Sequence, residues 1–312
     1  MGKIKISLIA TTLNESASIS RFLQSVAKQT RFPDEVIIVD GGSQDDTVQI
    51  MRQWAKNFPD VKIIEKTSIN IATGRNIAIA NSRYNYIAAS DAGCILDPLW
   101  LQYLIKPFND QKNDIVAGWY QMDGSGSFCS VLKKILEVPL SKINPQSFMP
   151  SSRSVAFKKE CWEMVGGYPE NLRMAAEDTL FNLKLKRAGY QFIFQPKAFV
   201  FWIIPTKHRS LYKKFYNYAY GDAEIYNNIP YYLLTFFIAF IIVLSPFFFF
   251  SNTILFVASI GILTLYFVLP LFTKQLFARI SNLTEFFFIF TCRITILFAS
   301  FFGFCKGMLS KI

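Results

Sequence analysis

The chain has 312 residues, enough for one large domain or two of ordinary size, and at 52% hydrophobic with 32 phenylalanines it is too apolar for a purely water-soluble protein. Its formal charge of +11 suits nucleic acid or anionic lipid, but no nucleic-acid recognition motif accompanies it, so nucleic acid is set aside. Five cysteines (Cys94, Cys129, Cys161, Cys292 and Cys305), odd in number and without paired spacing, exclude a disulfide scaffold and fit a reducing compartment.

The start, "MGKIKISLIATTLNES", turns polar too soon for a signal peptide. Within it "KISLIATT" is a β-branched run of strand length. A helix is predicted next, with Ile19, Phe22, Leu23, Val26 and Ala27 at helical spacing and Ser16 or Ser18 as its cap. "EVIIVD" is a continuous apolar strand, the kind buried on both faces of a parallel sheet. "GGSQDDT", a helix through Trp54, the strand "VKIIE", a helix around "TGRNIAIANS" and the strand "YNYIAAS" follow. This alternation predicts an α/β fold with a mainly parallel sheet flanked by helices. The first strand-to-helix turn, "TTLNESASIS", has no glycine, and no G-x-x-x-x-G-K-[ST] loop occurs, which argues against an NAD dehydrogenase and a P-loop ATPase.

Two aspartates end apolar strands, Asp40 in "IIVDGGS" and Asp91 in "AASDAGC". In a parallel sheet both carboxyl ends open on one edge, so the two carboxylates can converge on one ligand, and the small residues after them let it approach the backbone. Asp and Gly also suit a plain turn, and one such aspartate alone does not separate the readings. Two favour a nucleotide-plus-metal site. Downstream, "MPSSRSVAFKKECWEMVGGYPE" reads as strand, helix and Gly-Gly turn. "AAEDTLFNLKLKRAGY" reads as a helix with Leu180, Leu183 and Leu185 as apolar positions and Glu177 and Asp178 in its first turn, where carboxylates also simply suit the helix dipole.

Beyond Asn228 charges almost vanish. Two runs, at about 231–250 and 253–272, have the length of a bilayer core, and Pro246 and Pro270 are tolerated in membrane helices. A third run, at about 286–304, contains Arg293. Its insertion cost of about 2.5–3.5 kcal/mol is slightly outweighed by a dozen Phe, Ile and Leu at roughly 0.3–0.6 each, so crossing is favoured while a re-entrant or in-plane segment stays open. Lys207, His208, Arg209, Lys213 and Lys214 before the first run, with Lys274 and Arg279 before the third, mark the cytoplasmic side and attract anionic lipid. The expected organisation is a catalytic domain over 1–205, a basic juxtamembrane segment over 206–229 and a membrane region over 230–312.

Four pieces in order, "TTLNES", "VDGGSQDDT", "TGRNIAIANSRYNYIAASDAGC" and "GGYPENLRMAAEDTLFNLKLKRAGY", resemble the family 2 glycosyltransferases, inverting nucleotide-sugar transferases of the GT-A fold. The resemblance covers roughly the first two-thirds of the chain. It extends to the bacterial membrane-attached branch that carries "DAGC" in place of Asp-x-Asp, whose members build polysaccharide or cell-envelope glycans.

It implies that Thr12 and Glu15 border the base pocket, that Asp40 pairs with the imide of a uracil-type base, and that Arg75 approaches the base or phosphates. Asp91 would sit by ribose and diphosphate and ligate Mg²⁺ or Mn²⁺. Gly93 replaces the second carboxylate, which leaves metal dependence less secure, although Mg²⁺ can be held by one or two carboxylates plus substrate phosphates. His208, the only histidine, is an interfacial residue or an extra ligand. Gly166 and Gly167 fall on the acceptor side or cap a helix, and the Glu177-Asp178 pair contains the catalytic base.

The implied enzyme is a hexosyltransferase-type glycosyltransferase, multi-pass in the inner (cytoplasmic) membrane with its catalytic domain in the cytoplasm. It would move a sugar, with UDP as the expected carrier, to a lipid-linked or glycan acceptor. No arginine-tryptophan motif of processive members is evident, which argues for single-sugar transfer. A sugar nucleotidyltransferase and an inactive membrane scaffold are the alternatives.

Overall fold

The alternating runs of the N-terminal part form a single sheet in the computed structural model, which describes residues 4–267 and 283–311. In chain order come β1 (Ile6–Thr12), α1 (Ile19–Ala27), β2 (Glu35–Asp40), α2 (Thr47–Ala55), β3 (Val61–Glu65), α3 (Ile71–Ala80), β4 (Tyr86–Ala89), β5 (Cys94–Leu96) and α4 (Trp100–Ile105). They are followed by β6 (Ile115–Asp123), α5 (Gly126–Leu136), β7 (Val155–Lys158), α6 (Lys159–Met164), α7 (Glu177–Arg187) and β8 (Phe192–Ile203). The C-terminal part is helical: α8 (His208–Glu224), α9 (Ile229–Ser251), α10 (Thr253–Phe267) and α11 (Leu283–Leu309).

The strands lie in the order β3-β2-β1-β4-β7-β6-β8-β5. β3, β2, β1 and β4 are parallel, as the predicted alternation requires. β7 then runs antiparallel to β4 and β6, and β5 antiparallel to β8, so the sheet is mixed. All six residues of "EVIIVD" are buried, which is why that strand shows no polar alternation. Ile9, Val39, Ile87 and Ala89 on one face pack with Ala72, Ala78 and Ile79 of α3 and with Phe181 and Leu185 of α7. Gly74 allows α3 to lie close to β1, since a Cβ there would meet Thr11 Cγ2 at 2.9 Å. Parallel topology brings the carboxyl ends of β2, β1 and β4 to one edge, and α3 and α7 start near it.

The chain divides into two compact units. The first holds Met1–Asp123, Val138–Asn171 and Glu177–Ile203, and the second holds Gly124–Glu137, Leu172–Ala176 and Ile204–Ile312. α5 and the short stretch 172–176 therefore belong with the C-terminal helices, a grouping with no signal in sequence order.

In the second unit α9 and α11 are long and apolar enough to cross a membrane. α10 is a 15-residue apolar helix as far as it is described. The remainder of the second predicted run, with Pro270, and the cations Lys274 and Arg279 lie outside the described residues. Arg293 is accommodated in α11 because its Nη2 donates to the Tyr266 carbonyl at 3.1 Å.

α8 and α11 pack in parallel at a constant offset of 87 residues: His208 Nδ1 lies 2.9 Å from Thr295 Oγ1, Gly303 lies against Tyr216, and Gly307 against Tyr220. "GFCKG" is thus a small-xxx-small contact of the kind membrane helices use for close approach. A Cβ on Gly303 would come within 2.3 Å of the Tyr216 carbonyl oxygen, whereas Gly261 faces open space. Gly303→Ala is expected to cost about 1–3 kcal/mol through overpacking, read as a lower melting temperature of the full chain in detergent, with Gly261→Ala unchanged.

Candidate active site

Two loops at the carboxyl ends of β1 and β2 are laced together by polar residues of "LNES" and "GGSQDDT". Asn14, with φ 53°, donates its N–H to Ser43 Oγ at 2.8 Å and accepts from the Gln44 N–H at 2.8 Å. The Glu15 N–H donates to Thr47 Oγ1 at 2.8 Å and the Ser16 N–H to Asp45 Oδ2 at 3.1 Å. The Thr47 hydroxyl, ahead of the Ser16 bonds, holds the Asp45 carboxyl well below the usual carboxylate range. A lowered carboxyl pKa adds stability above the ordinary value and loses it as pH falls through the shifted one, so this lacing is complete at neutral pH.

The expected donor-side residues line this edge. Asp40 is 1% exposed, and its carboxylate accepts from the N–H groups of Ser43, at 2.9 Å, and Gly42, at 3.3 Å. It therefore shapes its own loop first, and any base must reach its remaining lone pairs. Thr12, in register with Asp40, is 6% exposed with a buried Oγ1 that has no hydrogen-bond partner. Ser90 Oγ, one residue past β4, is orphaned in the same way. Sequence reasoning missed Ser90. Buried hydroxyls normally find partners, so two orphans at strand ends mark a place where water or ligand completes the site. The Glu15 carboxylate accepts from the Ser18 hydroxyl, and its carbonyl accepts the Ser18 and Ile19 N–H groups, so it also starts α1.

Arg75 is held between two of the expected site carboxylates. It is buried, and one guanidinium joins two carboxylates: Nη1 donates to Glu177 Oε1 at 2.6 Å and Nη2 to Asp91 Oδ1 at 2.7 Å. Its carbon centre lies 5.3 Å from the centroid of Tyr168. Burial works against its charge, but Asp91 and then Glu177 outweigh that and raise its pKa, so it is a fixed cation. It faces carboxylates, not an open base pocket.

α7 presents the acidic pair in two directions. Its buried face runs Glu177, Phe181, Asn182 and Leu185, while Leu180 and Leu183 are half-buried. The leucine stripe expected from sequence is therefore rotated, and Glu177 turns inward with it. Burial pushes the Glu177 carboxyl up and Arg75 pulls it back. Asp178, about 100° further round the helix, is half-buried. Its Oδ2 accepts the Ser152 N–H at 3.3 Å and its Oδ1 the Thr179 N–H at 2.8 Å. The Ser152 hydroxyl lies 3.1 Å from that of Tyr168, which burial pushes up to about 12, so it stays protonated at neutral pH.

Gly166 and Gly167 take φ 71° and 73°, and their N–H groups bond to Glu163 and Trp162 carbonyls, capping α6. Asn76, which sequence reasoning passed over, pins this turn: its Oδ1 accepts from Trp162 Nε1 at 2.8 Å and the Tyr168 N–H at 2.9 Å. A Cβ on Gly167 would hit that oxygen at 2.9 Å, whereas Gly166 faces open space.

For a divalent metal the donor set is thin but usable. Among the described residues no three His, Cys, Asp or Glu gather as a metal cluster. Asp91 has its side chain 26% exposed, and a Cβ added at Gly93 would meet Glu15 Oε1 only at 4.0 Å. One carboxylate with room beside it fits Mg²⁺ that draws its other ligands from phosphates and water. His208 belongs to the second unit. Its ring sits between Phe128 and Phe288, 5.1 and 5.7 Å away, and bonds Thr295.

The fold is of the GT-A type. The mannosyltransferase PcManGT of Pyrobaculum calidifontis, solved with GDP-Man and Mn²⁺, superimposes with a TM-score of 0.56 over 99% of this chain and 87% of its own at 17% identity. TarS of S. aureus does so with a TM-score of 0.52 over 69% of this chain and 64% of its own at 22% identity. The family model Glycosyl transferase family 2 matches residues 7–153, and Glycosyl transferase family group 2 matches residues 95–299, more than half the chain. The chain belongs to the family 2 glycosyltransferases and is an enzyme of that class. This membership removes the nucleotidyltransferase alternative. The poly-β-1,6-N-acetyl-D-glucosamine synthase of Staphylococcus epidermidis is 26% identical over 232 residues, 70% of this chain and 55% of that protein. The chain thus spans about half the length of the curated relatives it matches.

Proposed function

We propose that this glycosyltransferase is membrane-attached and inverting, and that it moves a sugar from a nucleotide-diphosphate donor, UDP-linked by preference, to a lipid-linked or glycan acceptor at the cytoplasmic membrane face. The observation that carries the reading is the convergence of Asp91, Arg75, Glu177 and Asp178 at one sheet edge. Thr12, Glu15 and Asp40 line the base side of the donor pocket. Asp91 holds the diphosphate end and would bind Mg²⁺ or Mn²⁺, which when bound supplies positive charge to the departing diphosphate. Asp178 removes the proton of the acceptor hydroxyl as that oxygen attacks the anomeric carbon and the nucleoside diphosphate leaves. Gly166 leaves open backbone on the acceptor side. Activity against a panel of nucleotide sugars tests the reading: nucleoside diphosphate as the released product supports it, and pyrophosphate, or no turnover with any donor, counts against it.

Asp91→Ala should weaken binding of UDP with Mg²⁺ at least tenfold while uridine binding falls far less, since the diphosphate and its cation depend on Asp91 more than the ribose does. Calorimetric titration of both ligands checks this, and equal losses would make Asp91 a structural residue.

In the proposed topology the turn at Asn252, which caps α10 through the Leu255 N–H, faces outward, and the catalytic unit faces the cytoplasm. A cysteine at Asn252 should react with an impermeant thiol reagent from outside the cell, and one at Lys112, exposed on the catalytic unit, should not. The reverse pattern would move the donor site to the outer face.

A further inference from the structure

The bridge formed by Arg75 reaches further than the pocket it lines. One buried guanidinium is the shared partner of Asp91, on the donor side, and Glu177, beside the candidate base. The same group lies over Tyr168, whose hydroxyl contacts Ser152, and the Ser152 N–H bonds Asp178. Three carboxylates are thus arranged around one fixed cation, and Asp91 and Glu177 share it directly. A change of charge at Asp91 must therefore be felt at Glu177. α3, which carries Arg75, is seated close to β1 because Gly74 leaves room for Thr11, and Asn70 caps its N-terminus by accepting the Thr73 N–H at 2.9 Å.

We infer that Arg75 is a positioning residue that couples the donor subsite to the acidic pair, so that occupancy at Asp91 sets the arrangement of Glu177 and Asp178. In the donor-free chain the guanidinium holds both carboxylates. When a diphosphate and its cation engage Asp91, the Arg75 charge is redistributed toward Glu177 and the phosphates, and the acceptor side takes up its working arrangement only then. This rests on the donor reading given above. Coupling between two sites is reciprocal, so neutralising Glu177 must alter affinity at the donor site through Arg75. With Glu177 neutral, Arg75 leans on Asp91 alone and competes better with the cation, so affinity for UDP with Mg²⁺ falls.

The test is a double-mutant cycle on the full chain in detergent, titrating UDP with Mg²⁺ into wild type, Glu177→Gln, Arg75→Lys and the double variant. Glu177→Gln should weaken binding about five- to tenfold in the Arg75 background, within the range of ordinary coupling, and less than twofold in the Arg75→Lys background. Lysine keeps the charge but, as a point donor, does not reproduce the guanidinium fork across two carboxylates. A structural role for Arg75 alone would leave the effect of Glu177→Gln the same in both backgrounds, which overturns the coupling. Arg75→Met, with no charge, should abolish the effect too, and melting curves identify any variant that has lost its fold. Failure of wild type to bind UDP or GDP in any form would instead overturn the donor reading.

Discussion

Asp178→Asn is expected to lower turnover by about 10²–10⁴-fold, the usual contribution of a positioned base, with affinity for UDP and Mg²⁺ near that of wild type. The substitution keeps the side chain's shape, and Asn can still accept the Ser152 and Thr179 N–H bonds through its carbonyl oxygen. What it loses is the ability to take a proton. Glu177 is a poor candidate for the same task because its carboxylate is buried and bonded to Arg75 at 2.6 Å. Glu177→Gln should therefore cost less in turnover, and more in acceptor affinity, than Asp178→Asn. A full turnover rate in Asp178→Asn with a dead Glu177→Gln would exchange the two roles.

Arg75→Met is expected to destabilise the protein by about 3–5 kcal/mol, the cost of removing one partner from a buried ion pair. Arg75 and Glu177 have side chains only 3% and 10% exposed, so water does little to screen the charge left behind. The thioether fills part of the space over Tyr168, so the loss is electrostatic more than volumetric. Denaturant melts of the full chain measure it. Arg75→Lys should recover part of the loss by serving one carboxylate. An Arg75→Met protein as stable as wild type would show that Asp91 and Glu177 are neutralised by something other than Arg75.

The strands and helices that frame the site were legible because each is written in local chemistry. "EVIIVD" has the continuous apolar character of a doubly covered strand, and α1 has its apolar residues at helical spacing. The convergence of strand ends on one edge followed from parallel topology. Arg75 was harder. A lone arginine in the apolar helix "IATGRNIAIA" signals a buried charge, but its partners lie 16 and 102 residues away in sequence and no local spacing names them. The same holds for Asn76 and Ser90, whose meaning depends on what the fold brings opposite them. The buried face of α7 was misjudged by counting leucines, because the helix turns Glu177 inward to reach Arg75. The switch to antiparallel pairing at β7 was also hidden, since a four-residue strand does not state its direction.

The anomeric configuration of the transferred sugar tests the central claim most directly. In the proposed mechanism one carboxylate, Asp178, activates the acceptor and the nucleoside diphosphate leaves from the opposite side, so displacement at the anomeric carbon is a single step. NMR of the product made from an α-linked nucleotide sugar should show a β-linkage, formed with release of one nucleoside diphosphate and lost in Asp178→Asn. A product that keeps the α-configuration, or one made equally well by Asp178→Asn, would contradict the assignment of this sheet edge as an inverting active site.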